Sequence, residues 1–468
     1  MAQAVKQPIP SCHVVAVPYP GRGQINPMLN LCKVVAERSD DIFITVVVTE
    51  EWLGFIGSME KPANISFAAI PNVVPSERVR GEDVTGFAVA VLTKMEKPFE
   101  RLLEELCLPP PTVIIADAFL PWAAEVAGRR KIPLASLWTM SASVYTVFYH
   151  LDLLVQNGHF PIDLSVNGDA IVDYIPGLSS VRLLDLPTIM RDQEITSKFL
   201  KILPNHSTAK YLIFTSIYEL EPQVLDALHQ KSALSIYNIG PATSYFNLKQ
   251  IANDRHQDNT YSEWLSDQPP SSVLYVALGS FLYVSGSQMD EIAVGLRKSG
   301  VRFLWVARRE LSRLQELCGE KGLVVEWCHQ LEVLCHPSVG GFWSHCGWNS
   351  TKEAVLAGLP MLTSPILMDQ LTNAKAIVED WGIGWRVWKG VFDEQNLTNS
   401  DEIAELVRRF MNLESPEREE LTKNAKELQK SCEREFANGQ SFQTSLDGFV
   451  GSILQYSDLH ALRNSVKC

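Results

Sequence analysis

The chain has 468 residues, of which 46% are hydrophobic and 20% charged, and its formal net charge is −13. That length implies two or three domains rather than one core, and the composition is that of a globular protein. The excess of acid argues against a nucleic-acid or anionic-membrane partner, while an anionic small ligand needs only local donors. HVVAVPYP (13–20) is a short apolar run ending in turn residues. NPMLNLCKVVAERS follows with helical spacing, with Asn26 as a candidate cap and Pro27 suited to a first helical position. DIFITVVVTE (41–50) is β-branched and strand-like. PTVIIADAF (111–119), IPLASLW (132–138) and YLIFTS (211–216) repeat the pattern. Apolar strands alternating with helices predict a parallel sheet covered on both faces.

Composition changes near Gly240 and Pro241, and the polar stretch that ends in SDQPPSS reads as a linker. A second alternating unit follows in SVLYVALGS (272–280), VRFLWVAR (301–308), GLVVEW (322–327), GGFWSH (340–345) and LPMLTSP (359–365). Charged helical patterns run from Ser400 to Glu435, and Ser441 to Leu462 reads as an amphipathic helix. The fold class is α/β, with doubly wound units over 1–243 and 271–440, a linker over 244–270 and a helix within 441–468. Ligands of such sheets lie beyond the strand C-termini, so both units should aim their loops into a shared cleft. Nine scattered cysteines, none in a CxxC or zinc-like spacing, read as reduced thiols of a cytoplasmic protein. No apolar run reaches the roughly 18 residues of a membrane span. The start, MAQAVKQPIPSC, lacks the apolar segment of a signal peptide.

Chemistry concentrates in WCHQLEVLCHPSVGGFWSHCGWNSTKEAVLAGLPMLTSPILMDQ, from Trp327 to Gln370. Trp327 offers a flat ring for a base. CGWN lies between a strand candidate and a helix candidate, so its N–H groups and His345 suit a diphosphate. Gly347 lets the backbone approach closely. Ser350 and Glu353 also fit a capping box, which explains that pair without a ligand. Asp369 and Gln370 suit sugar hydroxyls. Together these groups suit a nucleotide sugar.

W-x-x-Q, H-x-x-x-G-G-F, H-C-G-W-N-S, E-x-x-x-x-G-x-P and D-Q occur in order and without gaps. That run closely resembles the signature box of plant UDP-glycosyltransferases. HVVAVPYPGRG resembles the family's N-terminal motif and WLSDQPPSSVLYVALGS its mid-chain motif. The resemblance implies a GT-B fold: two Rossmann-like domains face a cleft, the first binds the acceptor, the second binds the UDP-sugar, and the last helix returns to the first. It implies inverting transfer, with UDP-glucose as the expected donor, to a hydroxyl or carboxyl of a small lipophilic acceptor such as a plant secondary metabolite. It implies no metal and no cofactor. By the same resemblance Trp327 stacks on uracil, Cys328 meets its edge through the backbone, and Gln330 and Glu353 hold the ribose. Ser280, His345, Asn349 and Ser350 contact the diphosphate. Trp348, Asp369 and Gln370 contact the sugar, and Thr139 reaches its 6-hydroxyl. The box departs from the family at His329, where a Pro is usual.

A second departure bears on catalysis. In the family a His in the first βα loop, within P-G-x-G-H-x-x-P, takes the acceptor's proton while an Asp holds it. Here PGRGQINP puts Gln24 at that position, and Asp117 in IIADAF matches the Asp. An amide is not basic at neutral pH, so transfer by this form is expected to be impaired. Three accounts fit: a His replaced by Gln to stop turnover, acceptors that arrive ionised, or a non-catalytic UDP-sugar or small-molecule binding protein. A dinucleotide-dependent epimerase is disfavoured by the lack of GxGxxG after the first strand. A phosphorylase is disfavoured by the lack of a Lys in a pyridoxal phosphate motif. The acceptor pocket is expected from Glu50–Gly57, Arg80–Met95 and Ser141–Leu154.

Overall fold

β-Branched runs build the first sheet. A computed structural model of the chain describes residues 12–77, 79–81, 83–106, 110–203, 208–240, 260–279, 285–307, 310–387, 398–438 and 441–465. The N-terminal unit holds β1 (Cys12–Val17), β2 (Ile42–Thr49), β3 (Ile65–Ile70), β4 (Val113–Asp117) and β5 (Leu134–Trp138). A two-stranded antiparallel ribbon follows, β6 (Ile171–Val172) with β7 (Val181–Arg182), and then β8 (Tyr211–Phe214) and β9 (Ser235–Asn238). The main strands pair in the order β3-β2-β1-β4-β5-β8-β9, all parallel. Alternation along β1 shows why both faces are apolar. Val14 and Ala16 enter one core cluster, while Val15 and Val17 enter the other.

The C-terminal unit repeats the plan with β10 (Val273–Ala277), β11 (Arg302–Val306), β12 (Gly322–Val325), β13 (Val339–Ser344), β14 (Met361–Thr363) and β15 (Gly384–Arg386). Their order is β12-β11-β10-β13-β14-β15, again parallel. Helix Ser441–Ser465 packs on the first unit. Phe442, Leu446, Phe449, Val450 and Ile453 form its apolar stripe and share a core cluster with β1 and β2. Arg38 and Asp447 tie it down at 2.5 Å. Among the described residues no helix is long and apolar enough to cross a membrane.

One helix begins earlier than its sequence implies. It spans Arg22–Arg38 with Gly21 as N-cap, so Pro27 lies inside it and Asn26 is not the cap. Proline has no N–H to give to the carbonyl four residues back, which is that of Gly23. That carbonyl instead accepts from Asn349 Nδ2, in the other unit, at 2.8 Å. A second fastening surrounds the buried Asp185. Its carboxylate accepts from Arg182 at 2.8 Å and from Arg386 of the C-terminal unit at 3.1 Å. Its carbonyl accepts from Thr372 Oγ1, also of that unit, at 2.8 Å.

Candidate functional site

Each sheet reverses its strand order once, between β1 and β4 and between β10 and β13. Ligands of doubly wound sheets lie at such points. The loops after β1, β10 and β13 accordingly meet at a cleft of about 860 Å³. Gln24 and Thr139 line it from the N-terminal unit. Trp327, Cys328, Gln330, His345, Gly347, Trp348, Asn349, Ser350, Glu353 and Asp369 line it from the C-terminal unit.

The C-terminal wall is built around a helix start. Helix Trp348–Ala357 has Gly347 as N-cap, and no side chain caps it. The capping box expected at Ser350 is therefore absent: Ser350 lies inside the helix, and its Oγ accepts from Gln330 Nε2 at 2.9 Å. The same amide nitrogen donates to Glu353 Oε2 at 2.7 Å. Glycine is required on both sides of His345. A Cβ at Gly347 would lie 2.6 Å from His345 Nε2, and one at Gly279, whose φ is +97°, would lie 3.0 Å from the ring. Burial pushes His345 down to about 4, with a backbone contact to Ala277 opposing. The ring is thus neutral at neutral pH, and its Nδ1 has no partner.

Two residues in the left-handed region bracket this wall, Cys346 at φ 66° and Met368 at φ 59°. Such non-glycine conformations cost about 1–3 kcal/mol and persist where surroundings enforce them. Asn373 Nδ2 supplies part of that enforcement. It donates to Cys346 O at 2.9 Å and to Asp369 Oδ2 at 2.7 Å, joining the two turns. Burial raises Asp369 to about 6 against that hydrogen bond. Gln370 is not among the residues lining the cleft; its Oε1 accepts from the backbone of Ile366 at 2.8 Å and Leu367 at 3.1 Å, holding the loop that ends at Asp369. Trp327 is 44% exposed, and its ring meets His329 edge-on at 4.3 Å between centroids. Cys328 turns its thiol inward to the Tyr275 hydroxyl at 3.3 Å. Thr139 Oγ1 and Trp348 Nε1 are buried without a partner, and such groups carry a cost that a polar ligand removes.

The N-terminal wall holds Gln24 in the first turn of helix Arg22–Arg38. Asp117, at the end of β4 and 1% exposed, is not among the residues lining this cleft; it lines a separate cavity of about 290 Å³ with Leu120, Pro121 and Ser136. Its Oδ1 accepts from Phe119 N at 2.9 Å, and its Oδ2 has no partner. Burial pushes its carboxyl up to about 7. No hydrogen bond joins Gln24 to Asp117. A Cβ on Gly21 would lie 2.5 Å from Arg80 Nη1 and 3.0 Å from Gln24 Oε1. A guanidinium buried against Glu77 at 2.9 Å therefore flanks the amide.

Ser280 lies outside the described residues. The expected acceptor segments divide. Trp52, Phe55 and Ile56 of the first line the cleft, and so does Met140, which lies just outside the third. Phe87, Val91 and Met95 belong to the hydrophobic core instead, as do Val144, Tyr145 and Phe148. Sequence reasoning missed Tyr275, Asn373 and the Gly23 carbonyl. Asn373 had a signal, since it stands one helical turn beyond Asp369. Tyr275 had none beyond strand alternation. Among the described residues no group of three His, Cys, Asp or Glu side chains is placed to hold a metal ion.

Known proteins resemble the chain along nearly its whole length. Residues 244–408 match the family described as UDP-glucoronosyl and UDP-glucosyl transferase. UDP-glycosyltransferase 87A2 of Arabidopsis thaliana is 48% identical over 447 residues, covering 94% of this chain and 96% of the relative. The crystal structure of Os79 from O. sativa, in complex with U2F and trichothecene, is 25% identical with a TM-score of 0.79. The match covers 94% of this chain and 100% of that one. Medicago truncatula UGT71G1 complexed with UDP-glucose is 24% identical with a TM-score of 0.78, covering 95% and 98%. The last of these likenesses concerns the fold, which is GT-B.

Proposed function

The chain belongs to the UDP-glycosyltransferase family, and from that premise we propose that it moves glucose from UDP-glucose to an oxygen of a small lipophilic acceptor. One observation carries the choice of donor: a half-exposed indole, an uncapped helix start, a neutral His and unpartnered polar atoms converge on one cleft. In this reading uracil stacks on Trp327, and Gln330 with Glu353 holds the ribose. His345, the Ser350 hydroxyl and the backbone at Asn349 take the diphosphate, while the Asn349 side chain stays on Gly23. Trp348 Nε1, Asp369, Thr139 Oγ1 and Gln370 Nε2 take the sugar.

The acceptor oxygen attacks the anomeric carbon as the bond to the β-phosphate oxygen breaks. UDP leaves with the electron pair, and the configuration inverts. The acceptor's proton must also leave, and Gln24 cannot take it. Acceptors that arrive ionised, such as carboxylates and phenolates, need no base and are the ones this form favours. Neutral alcohols should react slowly, since a general base contributes about 10²–10⁴ in rate. Incubation with UDP-glucose and a panel of carboxylic acids, phenols and alcohols tests this. Products are expected in that order of rate. Alcohols reacting as fast as carboxylates would overturn the role given to Gln24, and failure to bind UDP would overturn the donor site. Gln24 also favours a second reading, binding without transfer, which predicts UDP binding with no product from any acceptor.

A further inference from the structure

Lys352 is a buried amine that the donor chemistry does not use. It stands one helical turn after Trp348 on helix Trp348–Ala357, so the two side chains share a face. It is 3% exposed. Its Nζ donates to Thr215 O at 2.5 Å and to Thr215 Oγ1 at 3.2 Å, and Thr215 belongs to the N-terminal unit. The acids that act on the amine by charge are Glu353 and Glu221. Neither forms an ion pair with it. Glu221 is already occupied by Ala142 N at 2.9 Å, Ser143 N at 2.7 Å and Ser216 Oγ at 2.5 Å.

A buried amine without an ion pair is costly, and an apolar side chain of the same length would fill the space at less expense. Its two hydrogen bonds give what an apolar contact lacks, a fixed direction. The path beyond Thr215 is short. Thr215 N donates to Trp138 O at 3.4 Å, and Trp138 precedes Thr139. Ser216 holds Glu221, which in turn holds the start of helix Ala142–Tyr149. The amine thus connects the helix whose first turn faces the cleft to both ends of the segment 139–143 on the opposite wall.

We propose that Lys352 is a positioning residue that sets the register of the C-terminal helix start against the Thr139 segment, so that a sugar held by one wall meets the other. The role in transfer rests on the donor reading above; the mechanical linkage does not. Two measurements keep the two apart. Hydrogen–deuterium exchange of the unliganded protein compares wild type with Lys352→Met. Exchange at Thr215, Ala142 and Ser143 should rise about tenfold while β2 and helix Ser400–Phe410 stay unchanged, as expected of a local opening. Thr215→Val, which removes one of the two acceptors, should give the same pattern more weakly. In steady-state assays on a carboxylate acceptor, kcat should fall about tenfold in Lys352→Met while the Kd for UDP stays within about twofold, the signature of lost positioning rather than lost binding. Lys352→Arg, which keeps donors at the site, should recover part of that kcat. Unchanged exchange in the 139–143 and 215 segments overturns the proposal, and so does a rise spread evenly over the chain. Absence of UDP binding in wild type would instead remove the donor reading and leave the exchange result to decide the linkage.

Discussion

The two walls of the cleft are finished to different degrees. On the C-terminal wall several polar side chains are held by a second contact, although His345 Nδ1 and Trp348 Nε1 are buried without a partner. Gln330 is fixed on Ser350 and Glu353, Asp369 on Asn373, and Gln370 on its own loop. On the N-terminal wall Asp117 uses one oxygen and leaves the other buried and unpaired. An unpaired buried acceptor costs about 1–3 kcal/mol, and in the proposed reading the missing partner is a base at position 24. The contrast separates two tasks. In the proposed reading, holding a donor is the task of the preorganised wall, and removing a proton is a task that the amide of Gln24 cannot perform.

The largest effect should come from supplying the base. Gln24→His is expected to raise transfer to alcohols by about 10²–10⁴, the usual contribution of a general base. Ionised acceptors should gain much less. Asp117→Asn in the Gln24→His background should remove most of the gain, because the imidazole loses its orienting partner and the stabilisation of its protonated form. A Gln24→His protein that folds, binds UDP and gains nothing with any acceptor would show that the two walls do not differ in the way proposed.

The unpaired carboxylate should also be visible in stability alone. The Asp117 carboxyl rises from 3.8 in its ordinary state to about 7 in the fold. Between those values the folded state holds the extra proton, so stability falls as pH rises through that window. One pKa unit is worth about 1.4 kcal/mol, which puts the whole effect at no more than about 4 kcal/mol. Urea unfolding of wild type and Asp117→Asn at pH 4, 5.5 and 7 checks it (approximate test points across the window). The substitution should flatten the slope. Parallel slopes in the two proteins would mean that burial does not raise the Asp117 carboxyl.

Legibility follows the same divide. The donor wall was readable because its residues are contiguous, and a strand end followed by a helix start can be recognised locally. Local reading failed where the partner comes from the other unit. Pro27 looked like a first helical residue, and its actual consequence, a free Gly23 carbonyl, appears only when Asn349 arrives from across the cleft. Ser350 looked like a cap because Gly347, which takes that place, has no side chain to announce it. Lys352 carried no signal in the sequence, since its burial comes with packing against Thr215 of the other unit. Among the main strands, β3, β9 and β15 escaped notice because each is an edge strand with only part of its residues buried. The lone oxygen of Asp117 is not a sequence property at all.

Breaking the finished wall should cost less than completing the unfinished one gains. Trp327→Ala removes the stacking face for the base, and base–aromatic stacking is worth about 1–3 kcal/mol per base. Calorimetric titration should show UDP affinity falling accordingly, with Gln24→His having little effect on the same titration. Equal affinities for wild type and Trp327→Ala would take the base away from this ring.

The smallest and most selective effect should be at Gln370. Its oxygen holds Ile366 N and Leu367 N, and the proposed reading assigns its Nε2 to the sugar. Gln370→His puts an imidazole in place of the amide, and use of UDP-glucose should fall relative to UDP-galactose. The magnitude is that of one ordinary hydrogen bond, about 1 kcal/mol or a few-fold in the donor ratio. Gln370→Glu separates the two jobs of the side chain. It keeps an oxygen for the loop and loses the donor toward the sugar, so UDP affinity should hold while the donor ratio moves. If the ratio moves only together with UDP affinity, Gln370 acts by holding the loop and does not touch the sugar.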